Sequence, residues 1–335
     1  MKYRMLGPTG IRVSELCFGT MSFGDVADEK TSEAMYRRCR DSGINFFDCA
    51  NVYSAGRAEQ ILGRLIANER DDVVITTKVG FPTGVGGPND HGLSPRHITR
   101  SIEDSLRRLG TDRVEVLFVH TFDPDTPIHE TLSALDHLVR QGKVLHLGAS
   151  NWAAWQIALS LGVSRSMGWP EFACMQPMYS LVKRQAEAEL LPLAVSEGLG
   201  VISYSPLGGG LLTGRYGVSK RPESGRLVEN TMYKARYGDS INFEVADSFS
   251  SLAEALGVHP ATLAVSWVLC RPGITAPIIG ARDLDQLESS LAAAAFPMTD
   301  ELSSRIAALS PAPPPATDRT EERVGVAYKG SAEKY

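Results

Sequence analysis

Short apolar runs alternate with longer amphipathic segments from about residue 15 to residue 295, a pattern typical of repeated β-α units around a parallel sheet. The apolar runs predict eight strands, at residues 15–18, 45–47, 73–77, 114–119, 144–147, 172–175, 201–203 and 276–279. Helical periodicity predicts eight helices, at residues 33–40, 58–68, 95–109, 128–140, 153–161, 185–196, 260–270 and 283–295. We therefore predict an α/β fold, a (β/α)8 TIM barrel, whose usual length of about 250 residues leaves room here for extra helices.

Three segments lie outside this repeat. Residues 3–14 contain a Gly-Pro-Thr-Gly turn between two short extended pieces, which predicts an N-terminal hairpin that covers the barrel floor. Residues 206–242 follow the seventh strand, and their length predicts a functional loop. Closely spaced prolines open a charged C-terminal tail, so we divide the chain into a barrel domain, 1–310, and a tail, 311–335.

Composition narrows the class of protein. The 335 residues are 43% hydrophobic and 22% charged, which is typical of a protein with a full core. Because the net charge is -5, nucleic-acid binding is disfavoured. Five cysteines without a Cys-x-x-Cys pair favour a reduced, cytoplasmic setting. No apolar run is long enough to predict a membrane segment, and no signal peptide is indicated.

Polar residues and glycines follow every predicted strand, at the barrel end where (β/α)8 enzymes carry their chemistry. The residues at these ends are Gly19, Thr20, Asp48, Lys78, His120, Ser150, Asn151, Gln176, Tyr204, Ser205, Gly280 and Arg282. One polar strand end is common where a chain meets water. So many ends with complementary chemistry favour a functional site.

An acid-base group can form among these residues. Asp48, Lys78 and His120 follow adjacent strands, and Tyr53 lies in the loop after Asp48. A tyrosine hydroxyl, with a pKa of about 10, is a poor acid near neutrality. An ammonium about 4 Å away at a dielectric near 20 contributes roughly 4 kcal/mol, or about three pKa units at most. We therefore expect Lys78 to lower the pKa of Tyr53. We expect Asp48 to hold Lys78 charged, and His120 to orient a carbonyl oxygen. Taken singly, each residue also fits a structural role.

These four residues resemble the catalytic tetrad of the aldo-keto reductases. Matching segments include 47–53 (FDCANVY), 77–80 (TKVG), 117–120 (LFVH), 148–152 (GASNW), 176–180 (QPMYS), 204–207 (YSPL) and 279–282 (IGAR). The resemblance extends from residue 3 to about residue 310. The sequence is similar to the soluble bacterial reductases of the family and also to potassium-channel β subunits.

The resemblance implies NADPH or NADP+ as cofactor, with NADH possible, and a small-molecule carbonyl substrate. It implies reversible hydride transfer, with Tyr53 as proton donor. Ser150, Asn151 and Gln176 would then hold the nicotinamide carboxamide, and Tyr204 would stack beneath its ring. The other implied cofactor contacts are Gly19, Thr20, Met21, Ser205, Pro206, Leu207, Gly209, Leu211, Gly280, Arg282, Gln286 and Ser290. The guanidinium of Arg282 suits a 2'-phosphate.

Other functions remain open at this point. A metal-dependent hydrolase is disfavoured, because the seven histidines include no His-x-His pair and we predict no metal site. A Schiff-base lyase could use Lys78 as nucleophile. A cofactor-binding sensor of the channel β-subunit type would keep the same tetrad.

The aromatic candidates for a substrate wall are Phe23, Phe81, Phe122, Trp152 and Tyr233. The oligomeric state has no clear sign in the sequence.

Overall fold

Eight parallel strands close into a barrel, and a two-stranded hairpin precedes it. The computed structural model describes residues 1–83 and 86–317, so residues 318–335 of the predicted tail lie outside the described residues. The strands are β1 (Tyr3–Met5), β2 (Arg12–Ser14), β3 (Cys17–Gly19), β4 (Phe46–Asp48), β5 (Val74–Val79), β6 (Val114–Val119), β7 (Val144–Ser150), β8 (Phe172–Gln176), β9 (Gly200–Ser203) and β10 (Ala276–Ile279). Strands β3 to β10 follow one another around the barrel and β10 pairs with β3, which confirms the predicted TIM barrel.

Several strands extend further toward their carboxyl ends than their apolar runs predict. Asp48 pairs with Thr76 across β4 and β5, and Ser150 pairs with Gln176 across β7 and β8. Lys78 likewise lies within β5 rather than after it. Backbone pairing does not depend on side-chain polarity, so a strand continues after its apolar run stops. Backbone pairing within the sheet therefore holds the predicted site residues Asp48, Lys78, Ser150 and Gln176.

The predicted hairpin forms and closes the amino end of the barrel. Strands β1 and β2 pair antiparallel from Tyr3 to Ser14. The turn between them contains Gly7, at φ +54°, where an added Cβ would lie 2.4 Å from the carbonyl oxygen of Ala173. Only glycine permits that approach. Leu6 is fully buried within the barrel, in a cluster with Phe46 and Phe118. The hairpin thus covers the floor as expected.

Helices surround the barrel and form the second layer of the core. Those that alternate with the barrel strands are α1 (Glu29–Asp41), α2 (Arg57–Ile66), α3 (Pro95–Leu109), α4 (Ile128–Arg140), α5 (Ala154–Met167), α6 (Leu190–Glu197), α10 (Pro260–Leu269) and α11 (Leu284–Leu291). Helix α6 begins five residues later than predicted. Pro192 lies in its first turn, the position where a missing N–H is tolerated, whereas a helix from residue 185 would place that proline in its interior.

Four further helices are α7 (Arg226–Glu229), α8 (Thr231–Tyr237), α9 (Ser240–Ala255) and α12 (Asp300–Ala307). The prediction of a loop over residues 206–242 is therefore partly wrong. Helix α9 was missed although Val245, Phe249 and Leu252 recur at helical spacing and are buried. Among residues 1–83 and 86–317 no single helix has the length and apolar composition to cross a membrane. Helices α9 and α10 meet these two criteria only when they are taken together, and the angle between them is 101°.

Candidate active site

Lys78 lies at the centre of the predicted tetrad and uses all three of its N–H donors. Its Nζ donates to Asp48 Oδ2 at 2.6 Å, to the backbone oxygen of Cys49 at 2.8 Å and to Tyr53 Oη at 3.2 Å. The Lys78 side chain is fully buried. Burial alone would lower its pKa, but Asp48 and then Tyr53 raise the pKa above its usual value. Lys78 is therefore a fixed cation at neutral pH.

The Asp48 carboxylate is fully paired by its neighbours. Besides the ion pair with Lys78, its Oδ1 accepts from Thr76 Oγ1 at 2.7 Å and from Gln176 Nε2 at 2.9 Å. A buried ion pair is tolerated only when its remaining lone pairs find donors. Thr76 was not predicted. It lies two residues before Lys78 on the same strand, so strand periodicity would have placed both side chains inside the barrel.

Tyr53 is less acidic than the sequence led us to expect. Burial raises the pKa of Tyr53 to about 12; Lys78 lowers it in part, and Asp48 opposes Lys78. The prediction of a lowered pKa is therefore wrong, because it counted the cation and not the loss of water around the phenol. A raised pKa keeps the phenol protonated at neutral pH, which is the form needed to donate a proton.

His120 lies beside Tyr53 as a neutral imidazole. The two ring centroids are 6.2 Å apart and nearly perpendicular. Burial, and secondarily Lys78, lowers the pKa of His120 well below its usual value. Its Nδ1 is buried with no hydrogen-bond partner among residues 1–83 and 86–317. Phe81 contacts the same imidazole, at a centroid distance of 4.7 Å.

A chain of hydrogen bonds connects the residues predicted to hold the nicotinamide. Tyr204 Oη donates to Asn151 Oδ1 at 2.7 Å, and Asn151 Nδ2 donates to the backbone oxygen of His120 at 2.9 Å. Ser150 Oγ donates to the backbone oxygen of Gln176 at 2.9 Å. Asn151, Gln176 and Tyr204 line one cavity of about 480 Å³. The structure therefore brings these four residues together next to the tetrad.

Three successive glycines begin four residues after Tyr204. Gly208, Gly209 and Gly210 all have positive φ, and a Cβ on Gly209 would lie 2.9 Å from the ring of Tyr237. At Gly209 the missing side chain makes room for Tyr237. At Gly210 the nearest atom to an added Cβ is 3.5 Å away, which leaves more room for an extended anionic group to approach the backbone. The glycines and the amide-bearing residues thus fit a dinucleotide. Ser205 and Leu207 are half-buried beside them, whereas Pro206 and Leu211 are buried below the turn.

The remaining predicted cofactor contacts are distributed around the same rim. Gly19 and Thr20 are buried at the end of β3, and Met21 is 40% exposed. The end of β10 carries Gly280, which is exposed, and Arg282, which is half-buried.

Helix α11 presents its two predicted contacts differently. Gln286 is exposed and its Oε1 accepts from the backbone N–H of Arg282 at 3.3 Å. Ser290 is buried on the core side with Leu287 and Leu291. Four residues advance a helix by slightly more than one turn, and this rotation turns Ser290 inward. Its contact with a nucleotide stays a prediction.

Only part of the proposed aromatic wall borders open space. Phe23 and Tyr233 are buried in the core. Phe122 and Trp152 pack edge-to-face at 5.0 Å between ring centroids. Phe81 is 39% exposed and contacts His120, whereas Trp152 lines the cavity that Asn151, Gln176 and Tyr204 share.

Comparison with known proteins identifies the relatives of this chain. The aldo/keto reductase family model matches residues 15–311. The chain is 39% identical over 323 residues to an uncharacterized oxidoreductase of Bacillus subtilis, YrpG, covering 93% of this chain and 97% of that protein. It is 38% identical over 302 residues to a probable voltage-gated potassium channel subunit beta of Arabidopsis thaliana, covering 88% and 91%. A protein of the same name from Oryza sativa is 36% identical over 329 residues, covering 95% and 99%.

Proposed function

Because the chain belongs to the aldo/keto reductase family and is an oxidoreductase, we propose that it reduces an aldehyde or ketone to an alcohol with NADPH, reversibly. The observation that carries this proposal is the placement of Tyr53, protonated at neutral pH, 3.2 Å from the ammonium of Lys78. A phenol becomes a better proton donor as its departing proton leaves an anion beside a fixed cation. We infer a cytoplasmic protein from the cysteine content.

The chain's own residues supply the proton and the electrostatics. The chemistry that NADPH would supply when bound is the hydride for the carbonyl carbon. Tyr53 Oη donates its proton to the carbonyl oxygen, and Lys78 stabilises the phenolate that remains. Asp48 keeps Lys78 charged and in place. His120, being neutral, donates a hydrogen bond from one ring nitrogen to the same oxygen.

Residues on the barrel rim would hold the cofactor. The NH2 groups of Asn151 and Gln176 already have acceptors, so their amide oxygens would accept from the N–H of a nicotinamide carboxamide, and Tyr204 would offer a ring for stacking. The glycines at 208–210 admit the pyrophosphate. Arg282 is half-buried, and no carboxylate within the described part of the chain forms an ion pair with it. A guanidinium available for a 2'-phosphate favours NADPH over NADH.

Substitution Tyr53→Phe tests the proposal. We expect kcat for reduction of an aldehyde panel to fall by about 10²–10⁴-fold, the usual contribution of a positioned acid. The Kd for NADPH, measured by cofactor fluorescence, should change less than about twofold, because the phenol hydroxyl does not hold the dinucleotide. Titration with NADH in parallel measures the preference for the 2'-phosphate. Turnover retained by Tyr53→Phe would overturn the assignment of the proton donor.

The contacts of Lys78 argue against the Schiff-base alternative. A nucleophilic lysine must be neutral and have a free lone pair. Here all three ammonium hydrogens have acceptors, and the pKa of Lys78 is raised. Borohydride trapping of a carbonyl substrate on the protein should therefore fail.

A second candidate function is association with a membrane channel. The names of the plant relatives, at 38% and 36% identity over nearly the whole chain, favour it. A cofactor-bound barrel can serve both as reductase and as sensor, so the two functions are compatible. Co-purification of a potassium channel with the tagged, full-length chain from detergent-solubilised membranes tests this candidate.

A further inference from the structure

We propose that Ser54 is a positioning residue: the hydrogen bond from its hydroxyl to the backbone oxygen of Phe23 holds Tyr53 against Lys78. The Ser54 Oγ to Phe23 O distance is 2.7 Å. This inference rests on the proposed role of Tyr53 as proton donor. It adds a residue whose side chain does not touch the reacting groups.

The backbone that follows Tyr53 is strained. Ser54 (φ 49°, ψ 37°), Ala55 (φ 54°, ψ 40°) and Gly56 (φ 89°, ψ -7°) are three successive residues in the left-handed region. Only Gly56 adopts that conformation without a steric penalty, since a Cβ crowds the following carbonyl. Strain of this kind persists only where the surroundings impose it. Some contact must therefore hold the turn.

The Ser54 hydroxyl supplies such a contact, and its connections lead back to the tetrad. Phe23 is fully buried, and its N–H donates to the carbonyl of Thr20 at 2.9 Å. Thr20 in turn donates to the backbone oxygen of Asp48 from its N–H at 2.9 Å and from its hydroxyl at 3.0 Å. Tyr53 is thus connected to Asp48 by two routes: through Lys78, and through the Ser54 hydroxyl.

The other end of the turn is held independently. An added Cβ on Gly56 would lie 2.8 Å from Cδ of Arg108, so Arg108 packs directly on the turn. Arg108 Nε donates to Glu59 at 2.7 Å, and Glu59, fully buried, also accepts from the hydroxyl of Thr77. Helix α2 is therefore fixed to β5. Between these ends, the Ser54 hydroxyl is the side-chain contact nearest to Tyr53.

Two substitutions separate the hydroxyl from the backbone strain. Ser54→Ala removes the hydrogen bond but keeps the steric cost of the left-handed backbone conformation. Ser54→Gly removes both the hydrogen bond and this steric cost. We expect both variants to lose about tenfold in kcat, since displacement of a catalytic group by a fraction of an ångström has effects of this order. The KM for the carbonyl substrate and the Kd for NADPH should change less than about twofold.

Ala55→Gly is the matched control. Ala55 has the same left-handed conformation, is exposed, and carries no side-chain hydrogen bond. We expect its kcat to equal that of the wild type and its Tm to be equal or higher, because glycine relieves the strain. An equal loss of kcat in Ala55→Gly would assign the effect to the backbone and overturn the role of the hydroxyl.

A second readout does not depend on turnover. The ¹³Cζ chemical shift of Tyr53, assigned with Tyr53→Phe, reports the hydrogen bond from Lys78. We expect it to move in both Ser54 variants and to stay constant in Ala55→Gly. An unchanged shift with unchanged kcat would refute the proposal. If the wild type reduces no carbonyl, the proposed function fails, while the chemical shift still decides whether Ser54 positions Tyr53.

Discussion

Each end of the barrel contains a largely buried ion pair, with exposed fractions of 0% and 3% for Lys78 and Asp48 and of 14% and 9% for Arg70 and Glu115, and the two pairs are similarly satisfied. At the amino end, Arg70 donates to Glu115 at 3.0 Å and to the hydroxyl of Thr111 at 2.9 Å. Glu115 also accepts from the backbone N–H of Ile75 at 2.7 Å. At the carboxyl end, Lys78 has three acceptors, as described above. Hydrogen bonding of the buried charges therefore does not distinguish a structural end from a functional one.

Backbone strain does distinguish them. Within the described residues, the non-glycine residues with positive φ are Ser54, Ala55, Asn151 and Ser205, and all follow barrel strands at the carboxyl end. The same end contains the unpaired Nδ1 of His120. Strain and unpaired polar atoms reduce stability, so they are expected where function requires them. The difference teaches that the carboxyl end departs from the most stable backbone arrangement, as the function proposed for that end would require.

The largest expected effect compares the cations of these two pairs, Lys78 and Arg70, directly. Lys78→Met leaves Asp48 buried without its partner and should destabilise the fold by about 3–5 kcal/mol. It also removes the charge that stabilises the Tyr53 phenolate, so kcat should fall by about 10²–10³-fold. Urea denaturation and steady-state kinetics on the same preparation measure both quantities.

Arg70→Met is the matched variant at the amino end. It should destabilise the fold by no more than Lys78→Met, because Nε of Arg113 remains 3.9 Å from Glu115. Its kcat at a temperature where it is folded should equal that of the wild type. Should Lys78→Met not fold, Lys78→Arg keeps a cation for Asp48, and its kcat should still fall because a guanidinium fork does not reproduce the three contacts. Equal kcat losses in the Arg70 and Lys78 variants would remove the distinction between the two ends.

The second expected effect concerns the pH dependence of catalysis. With the pKa of Tyr53 raised to about 12, the phenol is protonated throughout the neutral and mildly alkaline range. Carbonyl reduction, which needs the phenol, should be independent of pH from about 7 to about 10. Alcohol oxidation needs the phenolate and should rise about tenfold per pH unit below that pKa. Initial rates in both directions from pH 6 to 10 test this; a decline of reduction centred near pH 8 would contradict the raised pKa.

The sequence predicted the barrel, which the structure confirms, and the four residues Asp48, Tyr53, Lys78 and His120, which the structure brings together, because both depend on local patterns. Apolar runs mark strands, and the residue after each run marks the carboxyl end of the barrel. The contact between Ser54 and Phe23 could not be predicted from the sequence, because this contact depends on the backbone conformation of two loops that follow different strands. The acidity of Tyr53 was predicted in the wrong direction for a related reason: the sequence reveals a neighbouring lysine and does not reveal how far burial raises the pKa of the phenol.

The smallest expected effect compares two histidines at different depths. His120 lies at the carboxyl end, and His146 lies lower, within β7. Burial is the main cause that lowers both pKa values below the usual 6.5, and the shift of His120 is the larger. The folded state therefore binds these protons less readily than the unfolded chain. Stability from this source is present above pH 6.5 and is lost as the pH falls through the folded pKa values.

Histidine side-chain NMR during an acid titration measures the order of protonation. His146 should take up its proton first, and His120 should remain neutral at lower pH. His120→Asn and His146→Asn assign the signals, and each variant should lose less free energy of unfolding on acidification than the wild type. Protonation of His120 before His146 would indicate that the imidazole beside Tyr53 is more hydrated than its burial implies, and would remove the neutral hydrogen-bond donor from the proposed mechanism.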